Sequence, residues 1–497
     1  MKSLLCSSFL IFISGCAGLH QGPEFQRTAF DAFKHEAVNI EPLRLAHPIV
    51  LLSGARAQAA WLEQIDSAGP DDVIEIAQFY VRPGRMLSHL RQHLLSKLKQ
   101  GIRVKLKLDF MFSVSALHEF DSLTRFPNFT LEIVNAPDAE FIEFVADTYG
   151  VKDAADLIDA VISDDLARLR QALAGSKLAP ALEQLPSATP APEVLLGLVL
   201  KKVVAETGFF KLLKLKARLQ TMASRFHDKY LIVRRKPGSP STRPTTLAIG
   251  GRGWADSFNE EERKPGSLYY SDLDVTFELA KAPVAPNIPN PNETLPALAS
   301  FAKGDLVKSA RVFEDNMIAL IGSARRELRI FTPYFTPTAR VLEALTLSAG
   351  RGIQISVFTN SVGSSDVPLV PIFMYEQLAN WSRAMGPAFK LFTFDGAPGA
   401  CLHAKLTVVD DELSVLGSGN WDYRSFLFDS DSFVAVQSQS LARELEDKLV
   451  HPGYAKWQEW TADELATASE RLRQLVPEKP LQDALNFLGQ DSVRKQL

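Results

Sequence analysis

Two stretches of the chain repeat one pattern of apolar and polar positions. From Asp71 the chain reads DDVIEIAQFYVRPGRMLSHLRQHLLSKLKQGIRVKLKLDF, and from Arg325 it reads RRELRIFTPYFTPTARVLEALTLSAGRGIQISVFTN. Each opens with an apolar strand that ends in aromatic residues and a proline. Each continues as an amphipathic helix, turns at a glycine and closes with a second β-branched strand. Strand–helix–strand units of this kind build parallel sheets. Tyr80 matches Tyr334, Pro83 matches Pro337, and Gly101-Ile102 matches Gly352-Ile353, so the chain reads as two copies of one design.

The copies differ in length at one place. Between Gly101 and His227 the first copy carries the helical patterns DAADLIDAVISDDLARLRQALAG and EVLLGLVLKKVVAETGFFKLLKLKARLQ, joined by LPSATPAPE, where the second copy has only a short stretch between Gly352 and His403. The expected organisation is a first half over 41–280 with a helical insert at about 137–222, a Pro-rich linker over 281–297, and a second half over 298–497. Between Lys201 and Arg218 there are six basic residues and one acidic residue among phenylalanines and leucines. Two readings of the segment 193–220 stand side by side. One is an interfacial helix lying on anionic lipid. The other is a helix packed on the sheet with a solvated basic face.

Length and composition add an address. A chain of 497 residues exceeds one typical domain. With 46% hydrophobic and 23% charged residues it is an ordinary globular composition, and a net charge of -4 gives no global reason to expect a nucleic-acid partner. The start, MKSLLCSSFLIFISGCAG, has a lysine, an apolar run and then small residues, the shape of a secretory signal. Its ending, Ile13-Ser14-Gly15-Cys16, resembles a bacterial lipobox. The expectation is a lipoprotein signal peptide over 1–15 and a lipidated Cys16, which tethers the protein to the cell envelope. Ala17 after the cysteine favours the outer membrane, facing the periplasm. Cys401 is then the one remaining thiol, and no intramolecular disulfide is expected.

The candidate chemistry lies in HAKLTVVD, residues 403–410, followed by Gly417-Ser418-Gly419-Asn420. His403 and Lys405 are two apart on a strand, so both face one side. Asp410 ends the strand and is expected with them among the catalytic residues. The glycine turn offers backbone N–H groups, a hydroxyl and an amide, which are phosphate-binding elements. Imidazole serves as nucleophile or acid, and lysine and asparagine stabilise oxyanion charge. A partial second set, HDKYLIVR with Gly250-Gly251-Arg252-Gly253, places His227 and Lys229 in the first copy. His89 and His93 stand four apart but read as an exposed helix face, and neither a metal nor a cofactor is expected.

Two H-x-K motifs, each followed by a glycine turn, resemble the two-motif branch of the phospholipase D superfamily. The segment TPYFTPTARVLEALTLSAGRGIQISVFTNSVGSSDVPLV is similar to the cardiolipin-synthase-like bacterial members. The resemblance implies an α/β fold of two fused α/β/α sandwich halves related by a pseudo-twofold axis. It implies a metal-free reaction in which one histidine forms a phosphohistidine and the other protonates the leaving alkoxide. His227 is expected to be the nucleophile and His403 the acid. An acidic residue after each glycine turn fixes the histidine tautomer: Asp431 in the second half, and Asp272, or else Asp274, in the first. Ser418, Asn420 and Arg252 are expected on the phosphate.

The first copy departs from the motif. The aspartate expected seven residues after His227 is Arg234, and Gly253 stands where the second copy has Asn420. Three consequences are open: a working variant site with Arg252 or Arg234 on phosphate, a degenerate half that only binds, or altered head-group recognition. The expected function is phosphatidyl transfer on phospholipids, as in a cardiolipin synthase. A hydrolase releasing phosphatidic acid, a nuclease, and a non-catalytic anionic-lipid-binding lipoprotein are the alternatives. The partner is a phospholipid at a membrane, and no partner protein can be named.

Overall fold

A computed structural model of the protein describes residues 40–45, 48–51, 53–134, 149–162, 165–177, 179–182, 225–236, 244–259, 268–280, 298–302, 312–366, 369–396, 398–451 and 456–475. The signal peptide, Cys16, the segment 193–220 and the linker lie outside these residues.

Alternating apolar positions become strands whose inward side chains are buried, such as Ile74 and Ile76 in the first copy and Leu328 and Ile330 in the second. The first half contributes β1 (Ile40–Leu45), β2 (Ile49–Leu51), β3 (Val73–Gln78), β4 (Arg103–Asp109), β5 (Phe129–Val134), β6 (Tyr230–Arg234), β7 (Thr245–Gly250), β8 (Tyr269–Ser271) and β9 (Asp274–Ala280). The second contributes β10 (Leu298–Ala302), β11 (Glu327–Phe331), β12 (Phe335–Thr336), β13 (Gln354–Asn360), β14 (Phe389–Asp395), β15 (Ala400–Leu402), β16 (Leu406–Val409), β17 (Leu413–Gly417), β18 (Trp421–Asp422), β19 (Phe433–Gln437) and β20 (Lys456–Trp460).

The main sheet shows the duplication directly. Its order is β20-β14-β13-β11-β16-β17-β19-β10-β1-β9-β7-β6-β3-β4-β5, with β2 branching from β9. Read outward from the central β10–β1 pair, β9-β7-β6-β3-β4-β5 mirrors β19-β17-β16-β11-β13-β14. In each half the three outer strands of this set are parallel and the inner strands antiparallel. The two halves therefore share one continuous mixed sheet, joined through β1 and β10.

The first parallel pair of each half, β3–β4 and β11–β13, is connected by the predicted helix, Arg85–Lys99 or Ala339–Gly350. The glycines that follow these helices, Gly101 and Gly352, have φ of 80° and 88°, a conformation that a side chain disfavours. The described part of the insert is helical at Ala154–Ile162 and Leu166–Ala172. Its Leu157, Ala160, Leu169 and Leu173 join the first-half core with Leu117 and Phe120. A second core belongs to the second half. A third draws side chains from both, including Phe226, Tyr230 and Leu273 with Leu402, Leu406 and Phe394. This shared core fixes the halves against each other beside both histidine motifs.

Candidate active site

The segments that carry the histidines cross between halves. β15 of the second half runs parallel to β8 of the first, with Ala400 opposite Tyr269 and Leu402 opposite Ser271. The backbone N–H of His403 continues this pairing and donates to Ser271 O at 2.7 Å. At the pseudo-symmetric place Phe226 bridges Ser430, and His227 N donates to Ser430 O at 2.9 Å. Asp272 follows Ser271 and Asp431 follows Ser430, so each histidine meets the carboxylate of the opposite half. His227 Nδ1 lies 2.7 Å from Asp431 Oδ1, and His403 Nδ1 lies 2.5 Å from Asp272 Oδ2. A carboxylate on Nδ1 holds the proton there and leaves the Nε2 lone pair for reaction.

The acids are themselves held in place. Ser418 Oγ donates to Asp431 Oδ1 at 2.7 Å and accepts from Ser432 N at 3.0 Å. Asp272 Oδ1 accepts from Leu273 N at 2.7 Å. Gly251 lets Asp272 approach, because a Cβ there would stand 2.5 Å from its Oδ1. Arg225 grips Asp429 with its backbone N–H and its guanidinium, locking the seam next to His227. Asn360, the last residue of β13, donates to Leu402 O and accepts from Leu402 N, both at 2.8 Å, and so clamps the chain just before His403. Asp109, the last residue of β4, does the matching work by accepting from Phe226 N at 2.9 Å.

Charge is concentrated in this buried space. Lys229 and Lys405 are almost fully buried. Burial, and then Lys405, hold Lys229 well below the ordinary lysine value. Burial also lowers Lys405 to about 8 against the pull of Asp272. The charge of one motif's lysine thus acts on the other's. Both histidines are depressed by burial and by these lysines, His403 to about 4 and His227 also well below its usual value. Both imidazoles are therefore neutral at pH 7 when no anion is bound. The two acids differ. Burial would raise Asp272, but His403 and Lys405 outweigh it and hold it low. Burial wins at Asp431, whose carboxyl is raised despite Lys229. Aromatic rings complete the walls: Phe79 lies 4.5 Å from the His227 ring, and Phe258 and Tyr270 lie 5.3 and 5.0 Å from the His403 ring.

Several expected site residues have other duties. Asp410, at φ 54°, accepts from the backbone N–H groups of Arg325, Arg326 and Glu327 at 2.8–3.0 Å. It ties β16 to the start of β11, at the end of β16 opposite to His403. The motif aspartate is a structural turn residue here, not a group at the reacting centre. This explains the first-half departure: Arg234 occupies the same distant strand end and pairs with Glu75 at 3.2 Å. Arg252, expected on phosphate, is buried against Asp274 at 2.9 Å and donates to the carbonyls of Phe258 and Asp272. Its guanidinium supports the backbone of the acid that holds His403. Asp274, the alternative acid, is this arginine's partner, and burial pushes it up to about 7 against the arginine's pull. Ser418, also expected on phosphate, spends its hydroxyl proton on Asp431.

Asn420 remains as a polar group not consumed by the fold. Its side-chain oxygen is buried with no hydrogen-bond partner among the described residues. Gly253 stands at its first-half position because Tyr80 fills that space, with its backbone oxygen 2.5 Å from where a Cβ would lie. His89 and His93 contact Gln58 and Asp66 on the surface, away from the motifs.

A family model described as a cardiolipin synthase, phospholipase-D-like domain matches residues 317–451. Residues 317–451 of the chain thus carry a phospholipase-D-like domain of the cardiolipin synthase kind. Cardiolipin synthase A of Buchnera aphidicola is 27% identical over 191 residues, 36% of this chain and 36% of that protein. The cardiolipin synthase of Listeria monocytogenes serovar 1/2a is 28% identical over 137 residues, 27% of this chain and 26% of that protein. The chain thus matches about a third or less of the length of these curated relatives. In fold the likeness runs end to end. A phosphatidylserine synthase from Haemophilus influenzae Rd KW20 superposes with a TM-score of 0.57 at 12% identity, covering 94% of this chain and 98% of that one. The two-halved phospholipase D fold accounts for the mirrored strand order and for the meeting of the two motifs.

Arg225, Asp429, Asn360, Asp109 and Ser432 were not singled out from sequence. Asn360 and Asp109 carry a local signal, a polar residue as the last residue of the second strand in each strand–helix–strand unit. The Arg225–Asp429 pair has none, because its members lie far apart in the chain and meet only at the seam.

Proposed function

We propose that the protein transfers phosphatidyl groups between alcohols through a phosphohistidine, forming cardiolipin or a related anionic lipid. The observation that carries this reading is the crossed pairing of His227 with Asp431 and His403 with Asp272. It leaves both Nε2 lone pairs unclaimed by the carboxylates, and each histidine feels the buried lysine of the other motif. His227, the more enclosed imidazole, attacks phosphorus with its Nε2 lone pair, and the P–O bond to the first alcohol breaks. His403, which takes a proton onto Nε2 from solvent as the substrate binds, gives that proton to the departing alkoxide. Lys229, Lys405 and the amide N–H₂ of Asn420 stabilise the equatorial oxygens. The bound phosphodiester offsets the lysine charge that depresses His403, so the imidazole gains basicity when substrate arrives. A second alcohol then gives its proton to His403 and displaces His227 from phosphorus.

The relatives named cardiolipin synthase favour a lipid substrate. A lipidated Cys16 would hold the site at a bacterial envelope membrane, with the outer membrane favoured by Ala17. Among the described residues no helix is long and apolar enough to cross a membrane. The test is the full chain in mixed micelles of phosphatidylglycerol and phosphatidylethanolamine, with products followed by mass spectrometry beside His403→Ala. Cardiolipin from the wild type and none from the variant supports transfer. Phosphatidic acid as the sole product makes the protein a hydrolase. Equal product with and without His403 removes the reading.

A further inference from the structure

The two histidines sit in different surroundings, and the difference lies in one loop. After β4 the first half turns directly into a short helix, Phe110–Ser113. After β13 the second half instead makes the loop Ser361-Val362-Gly363-Ser364-Ser365-Asp366, directly beyond the Asn360 clamp on Leu402. Asp366 is half-buried. Its Oδ1 accepts the phenolic proton of Tyr334, and its Oδ2 accepts that of Tyr270 at 3.2 Å. Tyr270 comes from β8 of the other half, stacks on Phe258 at 4.6 Å and packs against the His403 ring. The charge of Asp366 is felt by Lys405. The Asp366 cluster is therefore part of the His403 wall, and the Phe79 wall beside His227 is built differently.

The hydrogen-bond inventory of this cluster is one-sided. Each phenol has a single proton, and both protons are spent on Asp366. Burial keeps both phenols protonated, far above the ordinary tyrosine value. What the cluster still offers is lone pairs on three side chains and one negative charge. Such a surface repels phosphoryl oxygens and attracts O–H or N–H donors. We propose that Asp366, with Tyr270 and Tyr334, binds the alcohol that reacts at His403 and selects alcohols carrying a second hydrogen-bond donor, a neighbouring hydroxyl or an ammonium group. The reacting oxygen faces His403 Nε2 while the second donor is taken by the Asp366 cluster. An alcohol with no second donor makes one hydrogen bond fewer to that carboxylate and binds more weakly.

This inference rests on phosphatidyl transfer at His227 and His403. It is tested with the full chain in phosphatidylglycerol micelles, offering deuterated glycerol, ethanolamine and n-propanol together at equal concentration. The three phosphatidyl products are resolved by mass spectrometry. The product ratio reads selectivity independently of total activity. The wild type is expected to favour glycerol or ethanolamine over n-propanol by about 10-fold or more, the size of one hydrogen bond to a charged group. Preference for glycerol identifies a hydroxyl as the second donor, and preference for ethanolamine identifies an ammonium. Asp366→Asn, which adds donors in the same shape, should bring the ratio within about threefold of unity, and Tyr334→Phe should lower it part-way. A wild type that makes the propyl ester as readily as the others overturns the inference and leaves phosphatidyl transfer standing. An Asp366→Asn protein that keeps the full preference does the same. Phosphatidic acid alone in every arm overturns the transfer reading, and the inference with it.

Discussion

Replacing Asp431 by asparagine isolates the crossed pairing. The carboxylate lies 2.7 Å from His227 Nδ1, is buried, and accepts the Ser418 hydroxyl on the same oxygen. An amide keeps the shape but removes the charge, and with its N–H₂ at the Oδ1 place it no longer accepts from Ser418. Its N–H₂ group can donate to Nδ1, which moves the imidazole proton to Nε2 and takes away the attacking lone pair. A histidine locked in the wrong tautomer costs a hydrolytic triad roughly 10⁴-fold in turnover, equivalent to about 5 kcal/mol of barrier. The structural cost is smaller, about 1–3 kcal/mol for one charge-assisted hydrogen bond in a buried place. The assay is rapid quench with phosphatidylglycerol labelled at phosphorus, measuring acid-labile, base-stable label on the protein beside steady-state product. Asp431→Asn should fold, melt a few degrees lower and carry no label. Asp272→Asn, which perturbs His403 instead, should still take up label, but more slowly. An Asp431→Asn protein turning over within tenfold of the wild type would refute the tautomer argument. Loss of label in Asp272→Asn alone would assign the attack to His403.

Three further expectations follow from the same geometry. Asp410→Asn should lower stability by about 2–3 kcal/mol in a denaturant melt, since three backbone N–H groups lose a charged acceptor, while kcat stays within about threefold of the wild type; a collapse of kcat with the fold intact would return this residue to the reacting centre. Gly251→Ala should cut kcat by roughly 10²-fold with little change in KM, because the new methyl meets the Asp272 carboxylate at 2.5 Å and displaces it from His403. The third concerns pH. Lys405 is lowered from 10.5 to about 8, so between these values the unfolded chain binds the proton more tightly, and the stability of the anion-free protein rises with pH through that window. Inorganic phosphate pairs with the lysine and removes the penalty. The stabilisation by phosphate should therefore be larger at pH 7.5 than at pH 10, by up to about 3 kcal/mol, and a phosphate effect that is the same at both pH values would contradict it.

The duplication was legible because it is written in local patterns. The strand–helix–glycine–strand periods, the matched Gly101 and Gly352, and the two H-x-K spacings depend only on the geometry of neighbouring residues. They led to the mirrored sheet and to His227, Lys229, His403 and Lys405. Asp272 and Asp431 were also reachable, as acidic residues after each glycine turn. Their partners were not, since a turn position does not say which half the carboxylate will face.

Local pattern also misled where one residue type serves two purposes. Asp410 looks chemical beside His403, yet the two flank β16 at opposite ends, and the carboxylate closes backbone N–H groups instead. Arg252 looks like a phosphate ligand, yet burial beside Asp274 directs it inward. Ser418 looks like a phosphate donor, yet its proton goes to Asp431. What the chain alone determined was the list of reactive groups and the repeat that carries them. Which carboxylate serves which histidine, and which charges are spent on the fold, were decided when β8 paired with β15 and Phe226 with Ser430, because hydrogen bonds between residues more than 100 positions apart have no signature in local periodicity.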